Sequence, residues 1–311
     1  MVECTARGGH LRVLMRQRTR IGGTASKIRR ELLKSLSRGL RIAPASTRFE
    51  GLQVKIPLVY GLGADHLSRT GRPWTYDVLA RLLQSRPGAF VDIGANVGLY
   101  LIWLKSLDEN REYIGFEPNP ACYFYLQELM RCNKFVDSSV FPLALSDRRG
   151  LSTFFARRLG DKMGSLLADH RIEKDKPYSF SVLTEPGDPV FADLDLSAIS
   201  AIKIDVEGFE VEVLRGLAGT LARHQPPIIC EVLTPDPDRA GFDVRMRKID
   251  ELLAVTRDLD YQIVSVGTDR RLHTARSAQD LLVKSEADRI VVPTVALESM
   301  LELVHDTHKT R

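Results

Sequence analysis

Phe90-Val91-Asp92-Ile93-Gly94-Ala95-Asn96-Val97-Gly98-Leu99-Tyr100 is the stretch that decides the fold. A short apolar strand enters a turn carrying two glycines, and an apolar helix leaves it, which is the usual way to build a nucleotide-sized pocket. Gly94 and Gly98 can take backbone angles closed to other residues and let a ligand approach the main chain, while the helix exposes free N–H groups in its first turn. A dinucleotide fingerprint, Gly-x-Gly-x-x-Gly, needs a third glycine where helix and strand pack around a pyrophosphate. Here the string is Asp-x-Gly-Ala-Asn-x-Gly, and the polar Asn96 in the turn suits a ligand that carries an amino acid. S-adenosylmethionine fits that spacing better than NAD. Taken alone, the stretch also reads as an ordinary strand-to-helix turn.

Working outward, Tyr113-Ile114-Gly115-Phe116 is a second apolar strand ending in Glu117-Pro118-Asn119-Pro120. Glu117 lies 25 positions after Asp92, at a strand tip, where an acidic residue accepts hydrogen bonds from ribose hydroxyls. The two prolines mark where the strand must stop. Farther on, Ile199 to Glu210 alternates Ile202, Ile204 and Val206 with Lys203, Asp205 and Glu207, so period two places the three charges on one side. A central parallel strand is normally apolar on both faces, so the charges are expected at the pocket mouth. The competing reading is an exposed edge strand. Ile228-Ile229-Cys230 ends in Glu231, another rim carboxylate.

These pieces, with Ala144-Leu145-Ser146-Asp147, occur in an order that resembles the FkbM family of S-adenosylmethionine-dependent methyltransferases from about Ala89 to Val232. The resemblance implies an α/β, class I methyltransferase (Rossmann-like) fold. It also implies O-methylation of a hydroxyl on a sugar, glycolipid or secondary metabolite. Cofactor contacts are expected from Asp92, Gly94, Ala95, Asn96, Gly98, Glu117, Pro118 and Asn119, with Ala144, Leu145 and Ser146 flanking the adenine. The family's Asp-Val-Glu-Gly-Ala-Glu run reads Asp205-Val206-Glu207-Gly208-Phe209-Glu210, with a phenylalanine where a small residue is common. That residue alters either helix packing or acceptor fit.

A sugar hydroxyl is a weak nucleophile at neutral pH, so a base or a metal ion must assist as its proton leaves. Asp205 is the first choice of base, with Glu207, Glu231 and Lys203 orienting it, binding acceptor hydroxyls or tuning its pKa. Three oxygen ligands from Asp205, Glu207 and Glu231 would also suit Mg²⁺. Metal-free catalysis is preferred by a narrow margin, and no histidine or cysteine cluster suggests zinc. Two readings from other classes remain. A nicotinamide-dependent oxidoreductase predicts glycine at position 96 and a Tyr-x-x-x-Lys unit, both missing here. A non-catalytic scaffold would bind through a basic N-terminal arm.

That arm emerges when the net charge of +4 is divided: residues 1–48 hold twelve Lys or Arg against Glu3 and Glu31, a balance of +10, and the remainder is −6. Ile28, Leu32, Leu33, Leu36 and Leu40 form one helical stripe ringed by Lys27, Arg29, Arg30, Lys34 and Arg38. Packing on the domain or a partner subunit is the first reading, peripheral membrane contact through 26–40 the second, as would suit a lipid-linked glycan acceptor, and nucleic acid the last. The expected organisation is therefore a basic amphipathic helical extension over 1–48 and a methyltransferase domain over 49–311, with its core at 89–232.

The 311 residues, 44% hydrophobic, can bury a full α/β core. Helices are expected over Tyr76–Leu83, Gly98–Leu107, Ala121–Cys132 and Val244–Val255, and strands near Val140–Leu145, Tyr261–Val266 and Arg289–Val292. Seven strands then form a doubly wound, mostly parallel sheet with one antiparallel strand at its end. Leu151–Ala156 and Ser179–Leu183 read as an added hairpin or extra strands. Gly160–Lys176 between them is a candidate lid, in which Met163, Ser165, His170 and Tyr178 would face the acceptor. Cys4, Cys122, Cys132 and Cys230 lack Cys-x-x-Cys spacing and are expected as free thiols. With no apolar run of membrane-spanning length and no secretory signal, a soluble, cytoplasmic protein is expected, with membrane association left open by the arm.

Overall fold

The computed structural model describes residues 3–7, 10–14, 27, 30–35, 37, 42–68, 73–157, 161, 164–166, 178–233, 242–266, 272–282, 288–299 and 302. Near the N-terminus, β1 (Glu3–Arg7) and β2 (His10–Leu14) form a hairpin that joins β3 (Ile42–Phe49) and β4 (Leu52–Leu58) in a four-stranded sheet. Residues 1–48 are therefore not all helix, and β3 runs through the boundary expected at 48/49. Residues 30–35 are helical, as their stripe suggests. Leu33 is buried against Ala45, Leu58 and Ala64, whereas Leu32 is exposed. The Lys34 ammonium lies 2.9 Å from Asp65, so the described part of this helix is docked on the domain. Ile28, Leu36 and Leu40 lie outside the described residues.

Two helices, α1 (Ala64–Ser68) and α2 (Trp74–Ser85), lead into the alternating core. It runs β5 (Ala89–Ile93), α3 (Leu99–Leu107), β6 (Tyr113–Phe116), α4 (Pro120–Asn133) and β7 (Ser138–Phe141). After β8 (Ala144–Ser146), β9 (Gly150–Ala156) and β10 (Tyr178–Pro186) come α5 (Gly187–Asp193), β11 (Ile199–Ile204), α6 (Glu210–Gly216) and α7 (Ala218–His224). The chain closes with β12 (Ile228–Glu231), α8 (Phe242–Asp258), β13 (Tyr261–Val266), β14 (Leu272–Ala275), α9 (Ala278–Leu281) and β15 (Asp288–Pro293).

The main sheet has the order β14-β13-β15-β12-β11-β5-β6-β7. From β7 to β12 all pairs are parallel, and β15 inserts antiparallel between β12 and β13. The seven expected strands are all there, and the short β14 pairs with β13 to add an eighth at the edge. Burial follows period two. Phe90 packs on the side covered by α2, α3 and α4, with Leu79, Leu101 and Tyr125, while Val91 and Ile93 face Phe191, Val213 and Leu252 from α5, α6 and α8. Both faces are covered, which makes the sheet doubly wound.

The single strand expected over 140–145 is instead two. Pro142 has no N–H for the ladder, so β7 stops at Phe141 and β8 crosses to a separate sheet, parallel to β10. There β9 and β10 form the expected added hairpin, with Phe154, Ala156 and Val182 in its own small core. Cys122, Cys132 and Cys230 are free thiols. Among the described residues, no helix is long and apolar enough to cross a membrane.

Candidate active site

β5, β6 and β11 end side by side, and a crevice of about 610 Å³, counting the part open to solvent, lies beyond their tips. The turn after β5 is stitched to both neighbours. The N–H groups of Gly94 and Ala95 donate to the Phe116 carbonyl at 2.9 and 3.0 Å, and the Asp205 N–H donates to the Ile93 carbonyl at 3.1 Å. Gly94 has φ +79°, and a Cβ there would stand 1.9 Å from the Asp205 carbonyl oxygen, so only a residue without a side chain fits. Asn96 follows in the left-handed region at φ +52°, which asparagine tolerates.

Glu117 is the hub of the turn. Its carboxylate accepts the Asn96 N–H at 2.6 Å on one oxygen and the Asn119 N–H at 2.8 Å on the other. It is only 5% exposed yet lines the crevice, and each oxygen keeps a further lone pair for a ligand donor. Burial pushes its pKa up to about 7, against the two backbone N–H bonds and the Lys203 charge, which favour the anion. Asn119 also caps α4, accepting the Ala121 N–H, and its amide donates to the Asp161 carbonyl at 3.2 Å.

Asp92, 1% exposed, sits beneath the turn and does not line the crevice. It accepts the Tyr113 hydroxyl at 2.8 Å and pairs with the Lys203 ammonium at 3.1 Å. The alternating charges place Lys203 on the rim beside Asp205 and Glu207, but β11 ends at Ile204, so those two carboxylates leave the ladder and lie in the turn. Lys203 remains in the strand, in register with Asp92 and on its face, and is buried. Burial works against its charge; Asp92, Asp205 and the bond to Asp92 outweigh it and hold the pKa above the usual lysine value.

Asp205 and Glu207 line the crevice, and one ligand oxygen from each of Asp205, Glu207 and Glu231 lies within 4.8 Å of the others. Of the expected cofactor contacts, Gly94, Asn96, Glu117, Pro118, Asn119, Ala144 and Leu145 line the crevice. Ala95 contributes its N–H to the stitching, Gly98 begins α3 at φ +71° packed under Leu126, and Ser146 is buried at the end of β8. Glu231 stands beside the rim pair without lining the crevice.

The sequence does not single out Phe154 and Leu166, which line the crevice from β9 and from the segment between β9 and β10. Of the candidate lid only Asp161 and residues 164–166 are described: Ser165 pairs with Phe155, and its hydroxyl donates to the Glu207 carbonyl at 2.9 Å. Tyr178 is exposed at the start of β10; Met163 and His170 lie outside the described residues. Phe209, flagged by its departure from the family run, lines the crevice with the Lys248 ammonium 5.7 Å from its ring. His66, also missed, bonds the Val97 carbonyl at 2.9 Å and braces the turn from behind.

Comparison with known proteins gives this geometry its family. A profile of the Methyltransferase FkbM domain matches residues 92–263, which contain Asp92, Glu117, Asp205, Glu207 and Glu231. The chain belongs to the FkbM methyltransferase family. It is similar to Methyltransferase sdnD of Sordaria araneosa, 28% identical over 194 residues that cover 54% of this chain and 74% of that protein. It is also similar to Methyltransferase 1 of Beauveria bassiana (strain ARSEF 2860), 27% identical over 142 residues, covering 41% of this chain and 57% of the relative. Among solved structures, the Methyltransferase FkbM of Methylobacillus flagellatus KT aligns over 86% of this chain and 60% of its own, with 17% identity and a TM-score of 0.41. An FkbM-family chain is an enzyme of the methyltransferase class, which leaves the nicotinamide oxidoreductase reading without support.

Proposed function

We propose that this chain transfers a methyl group from S-adenosylmethionine to a hydroxyl of a sugar, glycolipid or secondary metabolite, with Asp205 as the base. The observation that carries the reading is Glu117: a buried carboxylate at the tip of β6, tethered by backbone N–H groups on both sides, with lone pairs left for two ribose hydroxyls. Phe116, Leu143 and Leu145 give the same crevice an apolar wall suited to adenine. The missing third glycine argues against a pyrophosphate.

When bound, the sulfonium supplies an already activated methyl group. The protein must then align the acceptor oxygen and remove its proton. Asp205 is partly exposed at the crevice and anchored through its own N–H to Ile93, so its carboxylate has a fixed origin from which to accept that proton. Glu207 and Glu231 stand close enough to accept the acceptor's other hydroxyls. Phe209, Phe154 and Leu166 add apolar walls to the crevice.

The closeness of the three carboxylates favours a second version of the same reaction, in which a divalent cation held by Asp205, Glu207 and Glu231 acidifies the hydroxyl. Metal-free catalysis predicts that a chelator leaves methyl transfer intact; loss on chelation with recovery on adding Mg²⁺ establishes the metal version. The reading as a whole is tested by profiling glycans and metabolites from cells with and without the gene. A 14-dalton difference on a hydroxyl-bearing compound is expected, and transfer of methyl only to nitrogen or carbon would refute O-methylation.

A further inference from the structure

We propose that Lys203 is a positioning residue for the cofactor crevice: its ammonium ties the Gly94 turn to Asp205 from beneath and fixes the distance between the tips of β5 and β11. This inference rests on the cofactor reading given above and deepens it.

The contacts carry the argument. The Lys203 ammonium lies 2.6 Å from the Gly94 carbonyl, 3.1 Å from Asp92 and 3.6 Å from Asp205, with the Tyr100 ring 5.7 Å away. The ammonium also reaches the Ile93 carbonyl at 3.5 Å, so its three donors serve Gly94, Ile93 and Asp92 at hydrogen-bond distance, while Asp205 is held by charge as a longer ion pair. Burying a charge is costly unless it is paired and bonded; Asp92, itself held by Tyr113, provides the pair. A buried pair of this kind is no better for stability than well-packed apolar side chains, so pairing alone is weak grounds for a lysine here. The contacts to Gly94 and Asp205 give the reason. Gly94 and Asp205 both line the crevice, in the turns that follow β5 and β11, just beyond the last ladder pair Ile93–Ile204 and the backbone bond from Asp205 to Ile93. Lys203 bridges the two where the ladder ends, so its length sets where the turn carbonyl and the rim carboxylate stand.

The test measures the full-length protein's affinity for S-adenosylhomocysteine by calorimetry, with thermal melting as the measure of folding. Lys203→Met alone strands the Asp92 charge and is expected to melt early, which a purely structural role also predicts. Two further variants separate the roles. Asp92→Asn with Lys203→Met is neutral and apolar at the pair, and is expected to recover the melting temperature while binding at least about tenfold more weakly, because the ammonium bridge between the Gly94 carbonyl and Asp205 is gone. Lys203→Arg keeps the charge, but a broad planar guanidinium does not reach all of these oxygens from the same place; it is expected to melt like the parent and bind several-fold more weakly. Parental affinity in either variant with parental melting overturns the proposal. Loss of folding in both makes Lys203 a scaffold residue and overturns it equally. Failure of the parent itself to bind S-adenosylhomocysteine is a different result, which removes the cofactor reading and this inference with it.

Discussion

Replacing Gly94 by alanine probes the junction on which the site is built. The new Cβ would lie 1.9 Å from the Asp205 carbonyl oxygen, and side-chain carbons essentially never come closer than 3.0 Å, so the two strand tips must part by about 1.1 Å. The carbonyl has little freedom to yield, because the Asp205 N–H is bonded to Ile93 and its carboxylate is drawn toward Lys203. Forcing extra volume into a packed site costs ~1–3 kcal/mol. The left-handed angle at φ +79° adds roughly 1–2 kcal/mol for a residue with a Cβ. A total of about 2–5 kcal/mol corresponds to a fall in melting temperature of roughly 4–20 °C for a domain of this size. Gly51 supplies the internal standard. Its φ is +92° but nothing lies within 4 Å of where a Cβ would stand, so Gly51→Ala carries only the conformational cost, about 1–2 kcal/mol, partly offset by a less flexible unfolded chain. Melting both variants beside the parent, with and without S-adenosylhomocysteine, isolates the steric part. Gly94→Ala should melt well below Gly51→Ala and lose ligand stabilisation. Equal melting of the two, or parental ligand stabilisation in Gly94→Ala, would refute the claim that the β5 turn and β11 are in obligatory contact.

Four further outcomes follow from the geometry. Glu117 is held at a pKa of about 7 when folded, above its unfolded value, so the folded protein binds the extra proton between those values and apo stability should fall as pH rises from about 4.5 toward 7. Glu210, also pushed up to about 7 by burial, adds to the same slope, and Glu117→Gln should flatten part of it in denaturation curves. Because ribose hydroxyls donate best to the carboxylate, affinity for S-adenosylhomocysteine should weaken below pH 7 in the parent and be weak and pH-independent in Glu117→Gln. Asp205→Asn should lower methyl transfer by about 10²–10⁴ in kcat while changing S-adenosylhomocysteine affinity only a few-fold, and a kcat within tenfold of the parent would remove Asp205 as the base. Leu33→Ala should cost ~2–5 kcal/mol in urea unfolding, since Leu33 is buried against β3, β4 and α1; no loss would mean the helix is not docked.

What the sequence makes legible is local. The glycine turn, Glu117 at a strand tip and Asp205 after β11 are each readable because strand period, breaker residues and turn chemistry all act within a dozen positions. Lys203 shows where that reach ends. Its alternation with Asp205 and Glu207 suggests one rim of charges, but its true partner is Asp92, 111 positions away, and only the parallel register of β5 and β11 brings them together. The split at Pro142 is written in the sequence as a residue without an N–H, though the new sheet that receives β8 is not. Phe154, Leu166 and His66 carry no chemical signature of a site, since an apolar residue in a hairpin or a histidine in a short helix is ordinary until its neighbours are known. The N-terminal strands escape notice because the charge of that segment draws attention to the helical stripe, while β3 pairs chiefly with β4, which lies past residue 48.

A crystal structure of the protein with S-adenosylhomocysteine tests the central claim most directly. The ligand is expected in the crevice at the tips of β5, β6 and β11, its ribose hydroxyls about 2.6–3.2 Å from the Glu117 carboxylate and its adenine against Leu145. Ligand bound elsewhere, or a crevice closed by Phe154 and Leu166 with Glu117 out of reach, would contradict it.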